Sequence, residues 1–106
     1  MIHALKIIPE YFVPVIERVK TFEVRKADRP YRVGDYLALN EFGASCYTGR
    51  CCMVRICYIL TDQNMLAEGY VVLGIEPCAI YVDNGPVDPC TRGKAHISVY
   101  GGEDNV

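Results

Sequence analysis

The sequence predicts one small α+β domain that is mostly β: a barrel or highly curved sheet of about five to six short strands, with one short helix near the N-terminus. Three observations support this class. The chain has 106 residues, the size of a single domain. Short apolar and alternating stretches recur along it without repeated strand–helix units, which disfavours a doubly wound parallel sheet. Closing such a sheet also removes exposed strand edges.

The composition is that of an ordinary globular protein and does not identify a ligand. Hydrophobic residues make up 51% and charged residues 23% of the chain, with a net charge of -2. No apolar run of about 18 residues is present, so no membrane-spanning helix is expected. The opening MIHALKIIPEYF has no basic start followed by a long apolar block, so it does not resemble a signal peptide. We therefore expect a cytoplasmic protein.

The six cysteines are expected to be reduced thiols that act as small hydrophobic side chains. They are Cys46, Cys51, Cys52, Cys57, Cys78 and Cys90. No Cys-x-x-Cys spacing occurs. A strand from Cys51 to Cys57 spans roughly 20 Å, too far for one zinc ion with Zn–S bonds of about 2.3 Å. No metal or other cofactor is predicted, although a Cys/His site in the C-terminal tail stays open as an alternative.

The N-terminal elements follow from local patterning. Residues 2–8 are apolar and predict a first strand. Pro9 suits the first turn of a helix, and helix-like apolar spacing continues to Val19, so we expect a short helix near 10–19. Pro14 lies inside it and predicts a late start or a kink.

The later strands are predicted at 21–25, 36–41, 50–60 and 70–75, with a possible short strand at 96–100. Their inward-facing residues are expected to be Leu37, Leu39, Cys52, Val54, Ile56, Tyr58, Val71, Leu73 and Ile75. Cys51, Met53, Arg55 and Cys57 would form a second, half-covered face of the longest strand. The domain is expected to cover residues 1–78, with 79–106 as an extension holding at most one added strand and a loose tail.

The strand at 21–25 alternates strictly between polar and apolar side chains. The polar ones are Thr21, Glu23 and Arg25, and the apolar ones are Phe22 and Val24. We expect the apolar pair to face the core and the polar three to project from the opposite face, about 7 Å apart. One interpretation is a solvated face with weak ion pairs. The other is a partly buried Lys20–Glu23 pair that can move protons.

Cationic residues are concentrated around this strand. The segment 18–32 holds six of the eleven in the chain: Arg18, Lys20, Arg25, Lys26, Arg29 and Arg32. Its formal charge is +4, while the rest of the chain carries -6. Such a local basic patch favours phosphate binding. Tyr31 could stack on a base, as could Tyr47 if its loop lies nearby, although Tyr31 packing under its own loop is equally compatible with the sequence.

Residues 18–25, Arg-Val-Lys-Thr-Phe-Glu-Val-Arg, resemble the Gly-x-Lys-x-x-Glu-x-Arg motif of ASCH domains in the PUA-like superfamily. Further similar pieces are Arg-Val-Gly-Asp at 32–35, Tyr-Thr-Gly-Arg at 47–50 and Gly-Tyr-Val-Val-Leu-Gly-Ile at 69–75. The opening segment 3–12 is similar to a small ASCH-like subgroup of unknown function found in phages and bacterial mobile DNA. The resemblance covers roughly residues 2–76.

This resemblance implies a PUA-like β-barrel with a cleft beside the first helix, lined by Lys20, Glu23 and Arg25. It implies binding of RNA or modified bases, since most PUA-like domains bind such ligands. Some ASCH proteins remove the acetyl group of N4-acetylcytidine or cut single-stranded RNA. The sequence departs from the deacetylating branch, because Glu23 stands where a threonine is expected and Glu68 is no secure match for its later glutamate. Arg18 replaces the leading glycine of the motif.

The leading functional hypothesis is a module that binds RNA or a nucleotide in this cleft. Its ligand-binding residues would be Lys20, Thr21, Glu23, Arg25, Lys26, Arg29, Tyr31, Tyr47 and Arg50. An alternative is a small hydrolase of acylated nucleosides or RNA, with Glu23 as general base and Lys20 or Arg25 stabilising the oxyanion. A third is a phage protein-interaction module with an apolar patch around Met53, Cys57 and Ile59. Ligand identity and oligomeric state stay open.

Overall fold

The computed structural model describes the backbone of residues 1–83 and the side chains of residues 1–78. The elements are β1 (Ile2–Ile7), α1 (Pro9–Ile16), β2 (Phe22–Lys26), β3 (Tyr36–Gly43), β4 (Cys46–Leu60) and β5 (Tyr70–Asp83). The strand predicted at 96–100 and the possible metal ligands Cys90 and His96 lie outside the described residues. β5 passes without interruption through position 78, where the predicted domain was expected to end.

The five strands form one curled sheet, a half-barrel, in the order β1-β3-β4-β5-β2. β1 pairs with β3 in parallel, and the other three pairs are antiparallel. The predicted mostly β domain with one short helix is therefore confirmed. β1 and β2 are the two ends of the sheet, and the open side between them is called the seam below.

The core lies inside the curl of the sheet, under the helix. Its buried residues are Leu5, Ile7, Phe12, Val15, Leu37, Leu39, Cys52, Val54, Ile56, Val71, Leu73 and Ile75. The inward residues predicted for β3 and β5 are thus confirmed. Tyr58 was predicted to face inward but is 63% exposed. A bulge between Ile56 and Tyr58 inserts one extra residue into β4, which moves Tyr58 to the outer face.

The helix is short because its C-terminus is capped by the backbone at Arg18. The amide of Arg18 donates to the carbonyl of Val15 (3.0 Å), and the amide of Val19 donates to that of Pro14 (2.9 Å). This pair of bonds is the Schellman motif. It requires a left-handed residue, and Arg18 has φ of 63°. The helix ends at Ile16, three residues before the predicted end.

Replacing Arg18 by glycine should raise the free energy of unfolding by about 1 kcal/mol, because glycine adopts a positive φ without the steric penalty of a Cβ atom. Equilibrium urea unfolding followed by circular dichroism measures this change. Arg18→Ala is the control: it also removes the exposed guanidinium but keeps the Cβ atom, so it should leave stability nearly unchanged. A glycine variant no more stable than the alanine variant would contradict this account of the helix end.

The five described cysteines are free thiols. Burial raises the pKa of Cys52 to about 12, with smaller contributions from Cys51 and Glu23, so its thiol stays protonated at neutral pH. Among the described residues no group of three or more His, Cys, Asp or Glu side chains is arranged to hold a metal ion. Within the same part of the chain, no helix has the length and apolar character needed to cross a membrane.

Candidate functional site

β2 turns Glu23 and Arg25 inward and Phe22 and Val24 outward. Glu23 and Arg25 are 3% and 5% exposed, whereas Phe22 and Val24 are 46% and 53% exposed. The alternation predicted from the sequence is present, but the prediction that Phe22 and Val24 face the core is wrong.

The inward charges are accepted because they neutralise each other in an ion triad of Lys20, Glu23 and Arg25. One Glu23 oxygen, Oε2, receives the Lys20 ammonium. The other, Oε1, accepts from Arg25 Nε (3.2 Å) and Nη2 (3.0 Å). Lys20 also donates to the carbonyl of Phe22 (2.7 Å). A buried carboxylate bonded through both oxygens to two cations avoids the large penalty of an unpaired charge.

The ion triad also joins the two ends of the sheet. Arg25 Nη2 donates to the backbone carbonyl of Lys6 at 2.8 Å. Arg25 lies on β2 and Lys6 on β1, so this bond crosses the seam. A side chain here takes the place of the ladder of backbone hydrogen bonds that would close a full barrel.

Lys20 is the member of the triad that reaches solvent. Its side chain is 15% exposed, and its ammonium lies 5.3 Å from the centre of the Tyr11 ring and 5.0 Å from that of Phe22. Two cations and one carboxylate leave a formal charge of +1 at this point. An ammonium has three donors. Within the described residues two of them are used by Glu23 and the Phe22 carbonyl, which leaves one for a ligand.

A small pocket opens beside Lys20, between the end of α1 and the strands β4 and β5. It is lined by Val15, Arg18, Lys20, Thr21, Val54, Ile75, Glu76 and Pro77. Its buried apolar residues, Val15, Val54 and Ile75, are called the floor, and its exposed polar residues, Arg18, Thr21 and Glu76, are called the rim. The volume of about 20 Å³ is enough for a water molecule. It is far too small for a nucleobase, so any base must lie elsewhere on the surface.

Three other predicted ligand-binding residues lie in β2 and the loop that follows. Lys26 is exposed at the end of β2, and Arg29 is half-buried. Tyr31 packs against the core, and its ring meets that of His3 edge-on at 4.8 Å. In this arrangement the Tyr31 ring is part of the packing around the core.

The loop that carries Tyr31 is fixed by Asp35. Its carboxylate bonds to His3 Nε2 (2.9 Å), to the backbone amide of Arg32 (3.1 Å) and to the amino group of Met1 (3.2 Å). Burial raises the pKa of Asp35, but these bonds outweigh burial and hold the pKa below its ordinary value. Asp35 thus has a structural function at the start of β3.

Arg50 belongs to a cluster built around the buried Glu41. Arg50 holds Glu41 with two parallel bonds of 2.8 Å, and the Thr48 hydroxyl donates to the same carboxylate at 2.6 Å. The Arg50 guanidinium lies 5.0 Å from the Phe12 ring. Tyr47 is buried, and its ring meets that of Phe42 edge-on at 5.0 Å. Of the predicted residues, the structure joins Lys20, Glu23 and Arg25 in the triad and places Thr21 on the same pocket as Lys20, whereas Arg50 bonds to Glu41.

Sequence reasoning missed the two aromatic rings beside Lys20. Tyr11 was read as part of an amphipathic helix, and Phe22 was assigned to the core. The sequence signal that could have predicted these rings is the ability of the three charged side chains to pair with one another. Lys20, Glu23 and Arg25 can satisfy one another locally, so burying the triad forces Phe22 outward, toward the ammonium.

Comparison with known proteins found a matching family and a similar phage protein. The profile of a family described as a domain of unknown function (DUF3850) matches residues 2–75. The matched range runs from β1 into β5 and includes the positions of the ion triad. The chain is also similar to an uncharacterized 12.9 kDa protein in the GpA 3' region of Escherichia phage P2, with 42% identity over 72 residues. That alignment covers 68% of this chain and 65% of the phage protein.

Proposed function

We propose that this chain, which belongs to the DUF3850 family, is a cytoplasmic binding module for RNA or for a nucleotide with an exposed or modified base. The observation that carries the proposal is the position of Lys20. Its ammonium belongs to an ion triad with a formal charge of +1, has a donor left for a ligand, and lies between two exposed aromatic rings. A phosphate next to an aromatic base matches that combination.

The rim of the pocket adds further phosphate-binding groups to Lys20. Arg18 supplies a guanidinium and Thr21 a hydroxyl, and both residues are exposed. The acidic side chain on the same rim, Glu76, pairs with Arg55 at 2.6 Å, which partly neutralises its charge. The local field around Lys20 therefore favours an anion.

The resemblance of residues 18–25 to the ASCH motif supports the same proposal. A PUA-like barrel is the finer version of the fold that we propose, and a half-barrel with a helix over its core is compatible with it. The left-handed conformation of Arg18 gives that motif a physical basis, because glycine is the residue best suited to this position.

The geometry favours binding over hydrolysis. A general base must be within hydrogen-bond reach of the proton it removes. Both oxygens of Glu23 are already held by cations, and the side chain is buried. Hydrolysis would require Glu23 to release one of its partners first. The apolar patch predicted for a protein-interaction module is not formed, since Met53 is buried and Ile59 packs against the core.

Salt-dependent binding tests the proposal. Fluorescence anisotropy with labelled single-stranded RNA of roughly twelve nucleotides should show affinity that falls steeply with salt, and native mass spectrometry should detect any retained nucleotide. Arg18→Ala should weaken binding and reduce the salt slope by about one phosphate contact. Arg32→Ala removes another exposed cation, outside the pocket, and serves as the matched control.

The wild-type protein and the two arginine variants together give three distinguishable outcomes. Binding that weakens with salt and responds to Arg18 but not to Arg32 supports the phosphate site. Absence of binding to RNA together with absence of any retained nucleotide would overturn the proposal. Equal losses from the two arginine variants would mean that only overall charge matters.

A further inference from the structure

An exposed apolar strip covers the outer face of the sheet where β2, β5 and β4 lie side by side. The strand register arranges it in two rows across the sheet: Phe22, Gly74 and Tyr58, then Val24, Val72 and Leu60. These six residues are called the outer strip. Its three most exposed members, Phe22, Val24 and Tyr58, are large hydrophobic side chains that the core does not use.

The first row of the outer strip has a gap at its centre, between two aromatic residues. Gly74 lies between Phe22 and Tyr58 and places no side chain there. A Cβ atom at Gly74 would come within 3.2 Å of Tyr58 Cβ, closer than ordinary van der Waals contact. Adjacent strands are about 4.8 Å apart, so the two aromatic residues start about 10 Å apart across the glycine. That spacing leaves room above Gly74 for a flat group to contact both rings.

Cations lie at both ends of the β2 edge of the outer strip. The Lys20 ammonium is 5.0 Å from the Phe22 ring. Lys26 alternates with Phe22 and Val24, so it lies on the same outer face, and it is exposed. The four residue-to-residue steps from Phe22 to Lys26 span about 13 Å of strand. The acidic residue of β2, Glu23, points inward and is neutralised in the ion triad.

From this arrangement we infer that the outer strip is a stacking surface for single-stranded nucleic acid, with bases on Phe22 and Tyr58 and phosphates on Lys20 and Lys26. The inference rests on the proposed function and names the surface and the form of the ligand. Bases are flat and apolar on their faces, whereas their phosphates are anionic, so the ligand matches both the rings and the flanking cations. A duplex keeps its bases stacked inside and offers no face to these rings.

Serine substitutions test the stacking surface without disturbing the core. Phe22→Ser and Tyr58→Ser each remove an exposed ring, and each should weaken binding of a single-stranded oligouridylate of roughly twelve nucleotides about tenfold. Tyr36→Ser is the matched control, since Tyr36 is an exposed aromatic residue on β3 and is not part of the outer strip. It should leave affinity unchanged. Circular dichroism and urea unfolding verify that all three variants are folded.

Four probes separate bases from phosphates: the oligouridylate, its deoxyribose counterpart, a duplex of the same length, and an abasic strand with the same phosphates. The wild type should bind both base-bearing single strands more tightly than the duplex or the abasic strand. Preference for ribose over deoxyribose would identify RNA as the ligand. The Phe22→Ser/Tyr58→Ser double variant should bind the base-bearing and abasic strands equally.

The failure of this inference is distinguishable from the failure of the proposed function. If both serine variants bind like the wild type while Arg18→Ala still weakens binding, the outer strip is not the stacking surface and the phosphate site stands. Equal binding of the duplex and the single strand by the wild type also overturns the stacking surface. If the wild type binds none of the four probes and retains no nucleotide, both ideas are wrong.

Discussion

Replacing Glu23 by alanine should lower the free energy of unfolding by about 3–5 kcal/mol, the usual result of removing one partner of a buried ion pair. The carboxylate is the single counter-ion that Lys20 and Arg25 share among the described residues. Its loss leaves two like charges close together, one of them buried. Since domains of this size are stable by about 5–15 kcal/mol, the variant would lose a large share of its stability. Urea unfolding at neutral pH measures the change.

Two further variants separate charge from packing at this position. Glu23→Gln keeps the shape of the side chain and one carbonyl acceptor but removes the negative charge. Its free energy of unfolding should therefore fall by less than that of the alanine variant. Replacing the whole triad with Lys20→Met, Glu23→Leu and Arg25→Met should recover most of the lost stability, because apolar residues of similar volume often substitute well for buried ions. A Glu23→Ala variant within about 1 kcal/mol of the wild type would show that the triad is not energetically important.

Replacing Phe12 by alanine should lower the free energy of unfolding by about 3–5 kcal/mol, the range for truncating a large buried aromatic side chain. Phe12 is fully buried and is the largest side chain that α1 contributes to the core. Its ring also lies against the Arg50 guanidinium that holds the buried Glu41. The loss of stability should therefore have two causes: the cavity left by the ring, and the weaker packing that holds the Arg50 guanidinium in place.

The neighbouring aromatic residue of the same helix provides the control. Tyr11 is exposed, so Tyr11→Ala should change stability by no more than about 0.5 kcal/mol. A double-mutant cycle of Phe12→Leu with Arg50→Met measures the coupling between the ring and the guanidinium. Equal losses from Phe12→Ala and Tyr11→Ala would contradict the assignment of Phe12 as the anchor of α1.

The sequence predicted the strands well because their apolar residues are periodic, but it could not decide which face of β2 is inside. A period of two is the same for either face. The usual rule places Phe22 and Val24 inside, and it fails here because Glu23 and Arg25 satisfy each other and Lys20. That outcome depends on mutual hydrogen bonding, which an apolar/polar pattern does not contain.

Other features were out of reach for related reasons. A glycine usually occupies the left-handed position after a helix, and Arg18 occupies it here. Without that signal the prediction extended the helix too far. The bulge before Tyr58 depends on how β4 pairs with β5, and this is a long-range property. The nearness of Lys20, Glu23 and Arg25 was predictable, because they are close in sequence. Whether Tyr47 and Arg50 would join them depended on contacts made across the sheet.

The seam has a consequence for the order in which the protein folds. β3, β4 and β5 are consecutive antiparallel strands, whereas each edge strand must find a distant partner: Ile2 pairs with Tyr36, and Phe22 pairs with Gly74. Contacts between segments that are distant in sequence form late, because the chain loses conformational entropy before these contacts contribute stabilising free energy. We therefore expect the three central strands to form the folding nucleus and the seam to close last. Substitution of Arg25 should then accelerate unfolding more than it slows folding, so the bonds of this one side chain would contribute to the kinetic lifetime of the native state.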